Sequence, residues 1–96
     1  MFVAAGKIIL DFYGNQNIKA KRQNMAELLS DLHKQFNISA VEVEDFDDLE
    51  RCVIGLALSA GTEQGARSAL KKVLEHVDTN SFARVVVEDT EVFAYD

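Results

Sequence analysis

The chain has 96 residues, 48% of them apolar, which is enough for the core of one small domain spanning 1–96 and too little for two. The net charge of −6 excludes broad, nonspecific binding to nucleic acid, which requires a basic surface, although it allows a local basic site. One cysteine excludes an internal disulfide and a cysteine-based metal site. Together with the lack of a signal peptide and of a membrane-length apolar run, it predicts a cytoplasmic protein.

The first half of the chain predicts a strand, a helix and a second strand. Residues 2–13 alternate with the period of a strand, which Gly14 ends. A helix capped by Asn17 runs to about Phe36, because its apolar residues recur with helical spacing. Residues 38–44 alternate again and predict a short strand.

The second half predicts a strand, a helix and a final strand. An acidic hairpin loop at 45–50 precedes a buried strand at 51–60. Thr62 caps the second helix, which a turn at 78–81 follows. Residues 82–95 predict the last strand, with a kink near Asp89 and Thr90.

The order of the six elements predicts the fold. Strand, helix, strand, strand, helix, strand is the split βαβ arrangement of an α+β, ferredoxin-like βαββαβ two-layer sandwich. With right-handed crossovers, the antiparallel sheet takes the order 4-1-3-2. Both helices then cover one face of the sheet and leave the other face open.

Three stretches resemble the YlxP-like family of small bacterial proteins of unassigned function. They are NIKAKR (17–22), similar to a Ser-Leu-Lys-x-Lys-Arg motif, FNISAVEV (36–43), similar to Phe-Asn-Val-Ser-x-x-Glu-Val, and DLERCVIGLA (48–57), similar to the family's hairpin and third strand. Asn17 replaces the capping Ser, and Leu49 stands where many members have Trp, which weakens any partner contact made there. The resemblance implies a ferredoxin-like fold. It also implies a link to ribosomes or RNA, because the genes often neighbour those of translation initiation factor two and ribosome-binding factor A.

A basic cluster, defined by Lys19, Lys21 and Arg22, lies at the start of the first helix, where the helix dipole favours acids. Three interpretations are open. Lys21 or Arg22 pairs with an acid of residues 42–50 or with Asp11; or the cations and the helix N–H groups hold a phosphate or carboxylate; or the cluster is merely solvated. The second interpretation predicts an anion- or RNA-binding site.

The open sheet face predicts a protein interface. Its predicted residues are Ala5, Ile9, Val53, Gly55 and Ala57, with Ile38 and Ala40 beside them. They are small and apolar with an uncharged middle, and they lack the aromatic residues that RNA-recognition domains use for base stacking. We therefore expect a homodimer or a protein partner there. The alternative is a monomer in which Phe93 and Tyr95 fold back over Val53.

The other candidate residues do not indicate a metal site or a catalytic site. Leu49 occupies a ligand position that an EF-hand loop needs, and His33 and His76 lack metal-ligand spacing. Cys52 falls on the core face, and no glycine-rich phosphate loop is present. The sequence thus predicts no metal, no cofactor and no enzyme. It favours a non-enzymatic module that binds RNA or the ribosome through the basic cluster. The alternative is an interaction or dimerisation module that uses the open face, with the cluster in internal ion pairs.

Overall fold

The computed structural model describes residues 1–96 as four strands and two helices. They are β1 (Phe2–Asp11), α1 (Ile18–Gln35), β2 (Ser39–Glu44), β3 (Arg51–Ala60), α2 (Glu63–Asp78) and β4 (Arg84–Ala94). All neighbouring strands are antiparallel, and the sheet order is β2-β3-β1-β4. The predicted ferredoxin-like fold and its strand order are confirmed.

Both helices begin at the predicted caps. The side chain of Asn17 accepts the N–H of Ala20 (3.1 Å), and that of Thr62 accepts the N–H of Gly65 (3.0 Å), which satisfies donors that helical bonding leaves free. The apolar stripes of the helices pack on one face of the sheet. The residues buried there include Ile8, Leu10, Met25, Leu28, Leu32, Ile54, Leu56, Leu70, Val73 and Val77.

The central strand β1 approaches β4 closely at Gly6. A Cβ at this position would lie 2.2 Å from the carbonyl oxygen of Asp89 and 2.6 Å from Cα of Thr90. Real atoms do not approach so closely, and both neighbours are backbone. Glycine is therefore required where β1 and β4 pair.

Two register shifts differ from the sequence prediction. The irregularity in β4 lies at Val86, between the pairs Ile9–Val87 and Leu10–Val85, and not near Asp89 and Thr90. A second shift, at Val43 in β2, adds one residue between the pairs of Glu42 and Glu44.

The second shift changes which side chains reach the open face. Glu42 lies opposite the core residue Ile54, whereas Glu44 lies opposite Val53 on the open side. Ala40 lies opposite Leu56 and is buried under the helices, so its predicted place on the open face is wrong. Ile38 likewise packs against the core.

Candidate functional site

The basic cluster lies at the start of α1, as predicted, but its three cations have different environments. No acid occupies the first turn of α1. Lys21 is buried, whereas Lys19 and Arg22 are exposed. The three side chains therefore do not form one surface.

Lys21 lies inside the protein, with 1% of its surface exposed. Its ammonium nitrogen Nζ donates to the backbone carbonyl oxygens of Asp45 (2.8 Å), Asp48 (2.5 Å) and Arg51 (2.6 Å). An ammonium group has three donors, so the hairpin backbone uses its whole capacity and none is left for a bound anion. The hairpin is the predicted neighbour of Lys21, but it offers main-chain oxygens where the sequence predicts acidic side chains.

The hairpin that holds Lys21 combines a left-handed residue with hydrogen bonds of its own. Asp45 has φ 63, in the left-handed region that Asp tolerates better than most residues. The carboxylate of Asp48 accepts the N–H groups of Glu50 (2.9 Å) and Arg51 (3.1 Å). The hairpin acids thus satisfy amide groups, and the carbonyl of Asp45, which accepts the N–H of Asp48 (3.2 Å), uses its second lone pair for Lys21.

The loop between β1 and α1 is bound to the same hairpin. The N–H of Phe12 donates to the carbonyl of Glu50 (2.7 Å), and the N–H of Gly14 donates to Oε1 of Glu50 (2.6 Å). Nδ2 of Asn15 donates to the carbonyl of Leu49 (2.7 Å). Gly14 has φ 71, which its lack of a Cβ permits. The loop, the hairpin and the start of α1 are therefore one hydrogen-bonded unit.

Arg22 and Lys19 are the surface part of the basic cluster. Nη2 of Arg22 lies 3.1 Å from Oδ1 of Asp47, but the two side chains are 61% and 93% exposed. Such a pair contributes about 0–1 kcal/mol, so a ligand can replace Asp47 at little cost. Lys19 takes part in none of the ion pairs. Two cations, instead of three, remain for a partner.

The middle of the open sheet face carries an ion pair where the sequence predicts no charge. Lys7 in β1 lies opposite Gly55, and Glu44 in β2 lies opposite Val53. Their contact, Nζ to Oε1 at 2.8 Å, therefore crosses over β3. The hydrogen bond to Glu44, and then its charge, raise the pKa of Lys7. Val53, beside this crossing, is only 2% exposed.

The C-terminal residues do not cover Val53, so the predicted fold-back is wrong. β1 separates β4 from β3. Phe93 lies opposite Val3, at the other end of β1 from Ile9, the partner of Val53. Phe93 and Tyr95 are 40% and 61% exposed.

The other predicted interface residues do not form one continuous patch. Ala57 is exposed, while Ala5, Ile9 and Gly55 are half-buried. Lys7 lies between Ala5 and Ile9 along the open side of β1, so the ion pair divides the face. A methyl group of Val43 also lies over Gly55, 2.8 Å from where a Cβ would be.

Within the sheet, the large apolar side chains that are exposed lie on the edge strands and not on the central ones. They are Val41 and Val43 on β2, and Val86, Val87 and Phe93 on β4. We did not predict this, because the alternation pattern directs attention to the central strands. A signal was present in β4, where three valines at 85–87 precede acids at 88, 89 and 91 in a single strand.

Cys52 and His76, the other groups with possible chemistry, are occupied by internal contacts. The buried Cys52 thiol donates to Oε1 of Glu42 (3.1 Å), and burial followed by that hydrogen bond raises its pKa, so the thiol stays protonated. Nε2 of His76 contacts the carboxylate of Asp31 and thereby joins the two helices. No group of three or more His, Cys, Asp or Glu side chains is placed to hold a metal ion. Neither helix has the length and apolar character needed to cross a membrane.

The strand order, the crossovers and the open sheet face define the class of this protein, a ferredoxin-like α+β domain. Within that class the chain belongs to DUF503, a family of proteins of unknown function, whose model matches residues 3–90. No curated protein matches the sequence. Membership in this family therefore identifies related proteins but does not assign an activity.

Proposed function

We propose that this chain is a non-enzymatic interaction module that binds a basic protein partner on the open side of its sheet. The observation that carries the proposal is the side-chain pattern of β4. Val87 and Phe93 lie on the open side, opposite Ile9 and Val3, and both are exposed. Asp89 and Glu91 lie between them on the same side. Apolar groups next to acids fit a protein surface with apolar and cationic side chains.

The charge balance of the open face favours a partner unlike this chain. Each cation of the face has an acid beside it: Lys7 with Glu44 (2.8 Å), Arg51 with Asp45 (3.7 Å), and Arg84 opposite Asp11 in the ladder. Asp89 and Glu91 form no ion pair, so the face has a surplus of negative charge. RNA phosphates are repelled by this surplus, and so is the same face of a second copy.

Affinity capture from a native lysate, with and without nuclease, tests the proposal. Ala57→Arg places a long cation on the exposed part of the open face, and Ala26→Arg is the matched control on the exposed side of α1. We expect wild type and Ala26→Arg to capture the same basic protein after nuclease treatment, and Ala57→Arg to lose it. Capture that Ala57→Arg leaves unchanged would contradict the proposal, and light scattering that shows a stable dimer would favour a second copy as the partner.

A second proposal retains the basic cluster, the resemblance to YlxP-like proteins and the link to translation. Lys19 and Arg22 would bind RNA on the ribosome, and the supporting observation is that one has no acid partner and the other has only the exposed Asp47. Both proposals place the protein in the cytoplasm. Lys21 is left out because its donors are used within the fold.

The RNA proposal has a separate test. Lys19→Glu with Arg22→Glu should abolish nuclease-sensitive association with ribosomes. Two phosphate contacts on single-stranded RNA predict a log–log salt slope of about −1.4. Association that resists nuclease, or that the double variant retains, would exclude this site.

A further inference from the structure

The two edges of the sheet differ in how their outward backbone groups are satisfied. β2 has six residues and a bulge at Val43, and the N–H of Ala40 donates to Nε2 of His33 on α1 (3.3 Å). β4 has eleven residues, and its backbone makes hydrogen bonds with β1 alone. The N–H and C=O groups on its outer side have no partner in the protein. An edge of this kind is a template for another strand.

The side chains of β4 specify what such a strand would contain. On the open side, alternate residues read Val87, Asp89, Glu91 and Phe93, which is apolar, acid, acid, apolar. A strand paired with β4 places its own side chains directly opposite them. The best match is an extended segment with an apolar residue, two cations and an apolar residue at alternate positions. Since this pattern reads the same from both ends, it suits either strand direction.

The same pattern disfavours a second copy of β4 in the register that matches its apolar residues. Antiparallel pairing that matches Val87 with Phe93 of another copy also places Asp89 opposite Glu91. Because the pair is two-fold symmetric, this contact between acids occurs twice. Like charges directly opposite one another destabilise a strand pair. The acids therefore act against self-association and favour a basic strand.

We infer that β4 is a docking edge for an extended, Lys- or Arg-bearing segment of a partner protein, which adds to the sheet as a fifth strand. The inference rests on the proposed function, because it gives the mode by which a basic partner binds the open side. Main-chain hydrogen bonds to the outer side of β4 supply affinity, and Asp89 and Glu91 supply selectivity.

Two synthetic peptides and two protein variants test this inference. One peptide contains Val-Thr-Lys-Thr-Lys-Thr-Val, and the other has Glu in place of both Lys residues. The double variant Asp89→Lys with Glu91→Lys, called the reversed edge, changes the charge on the open side of β4 from negative to positive. Glu27→Lys with Asp47→Lys is a control that changes the net charge equally on other exposed surfaces.

We expect the Lys peptide to bind wild type and the control alike, and to bind the reversed edge at least about fivefold more weakly, because two cross-strand charge pairs become repulsive. The Glu peptide should show the opposite preference. In hydrogen exchange, the Lys peptide should slow the outward amides of β4 and leave those of α1 unchanged.

Three outcomes would overturn the inference: no binding of the Lys peptide at millimolar concentration, equal binding to wild type and the reversed edge, or protection confined to α1 or the hairpin. These outcomes are separable from failure of the proposed function. If Ala57→Arg loses a captured protein but the Lys peptide does not bind, a partner on the open face is upheld and docking on the edge of β4 is rejected. If the Lys peptide protects β4 but Ala57→Arg does not change the capture, docking on the edge is upheld and the partner on the open face is rejected.

Discussion

Replacing Lys21 with methionine tests the role of its buried ammonium group, because methionine keeps an apolar stem of similar length and removes all three donors. A hydrogen bond to a charged group contributes about 1.5–3 kcal/mol, so three would sum to about 4.5–9 kcal/mol. Two effects reduce this sum. The variant no longer pays to bury a charge, and water can reach carbonyls in a hairpin whose side chains are exposed. We therefore expect Lys21→Met to lower the free energy of unfolding by about 2–4 kcal/mol.

Urea and thermal unfolding followed by circular dichroism measure this loss. For a chain of this length, it corresponds to a fall in the melting temperature of about 10–25 °C. Lys19→Met is the matched control, because Lys19 lies in the same turn, is exposed and forms no ion pair. The control should stay within about 0.5 kcal/mol of wild type. If Lys21→Met also stays within that range, the three hydrogen bonds only offset the cost of burying the ammonium, and Lys21 is not a stabilising residue.

Three further changes examine other parts of the fold. Gly6→Ala places a Cβ 2.2 Å from a backbone oxygen of β4 and should lower the free energy of unfolding in urea by at least about 2 kcal/mol. Gly61 has open space around it, so Gly61→Ala should stay within about 1 kcal/mol of wild type. Equal losses in the two variants would contradict the close approach of β1 and β4. The hydrogen bond to His76 is the main cause that lowers the pKa of Asp31 in the folded protein. The ionised Asp31 therefore stabilises the fold fully above the unfolded carboxyl pKa of about 4, and this stabilisation is lost as the pH falls through the lower folded pKa. The stability difference between wild type and Asp31→Asn should thus shrink below about pH 4, and a difference that does not change with acid would reject the contact. Cys52, buried and with a raised pKa, should react with a thiol reagent at pH 8 only as fast as the protein opens, and rapid labelling of the folded protein would refute its burial.

The fold could be predicted because its signals are local. The caps at Asn17 and Thr62 are identified by residue type, and the strands and helices by their periods of apolar residues. Registers depend on longer-range packing. The bulges at Val43 and Val86 each insert a residue that looks like any other strand residue, so the sequence did not show which side chains change face.

The candidate site could be predicted only in part. The helical wheel places Lys21 beside the apolar stripe, and the topology places the hairpin near it, but every residue has a carbonyl group, so the carbonyl acceptors leave no mark in the sequence. Alternation places Lys7 on the open side of β1. That it reaches Glu44 over β3 depends on a register that residue types do not encode.

The contacts of Lys21 also determine how this end of the molecule opens. The three carbonyls lie 24, 27 and 30 positions further along the chain, so neither the start of α1 nor the hairpin can open without breaking the same hydrogen bonds. An exposed acidic loop ordinarily opens at low free energy and independently of its neighbours. Here the two segments form a single cooperative unit, so that opening of the hairpin requires the free energy of releasing the helix start as well.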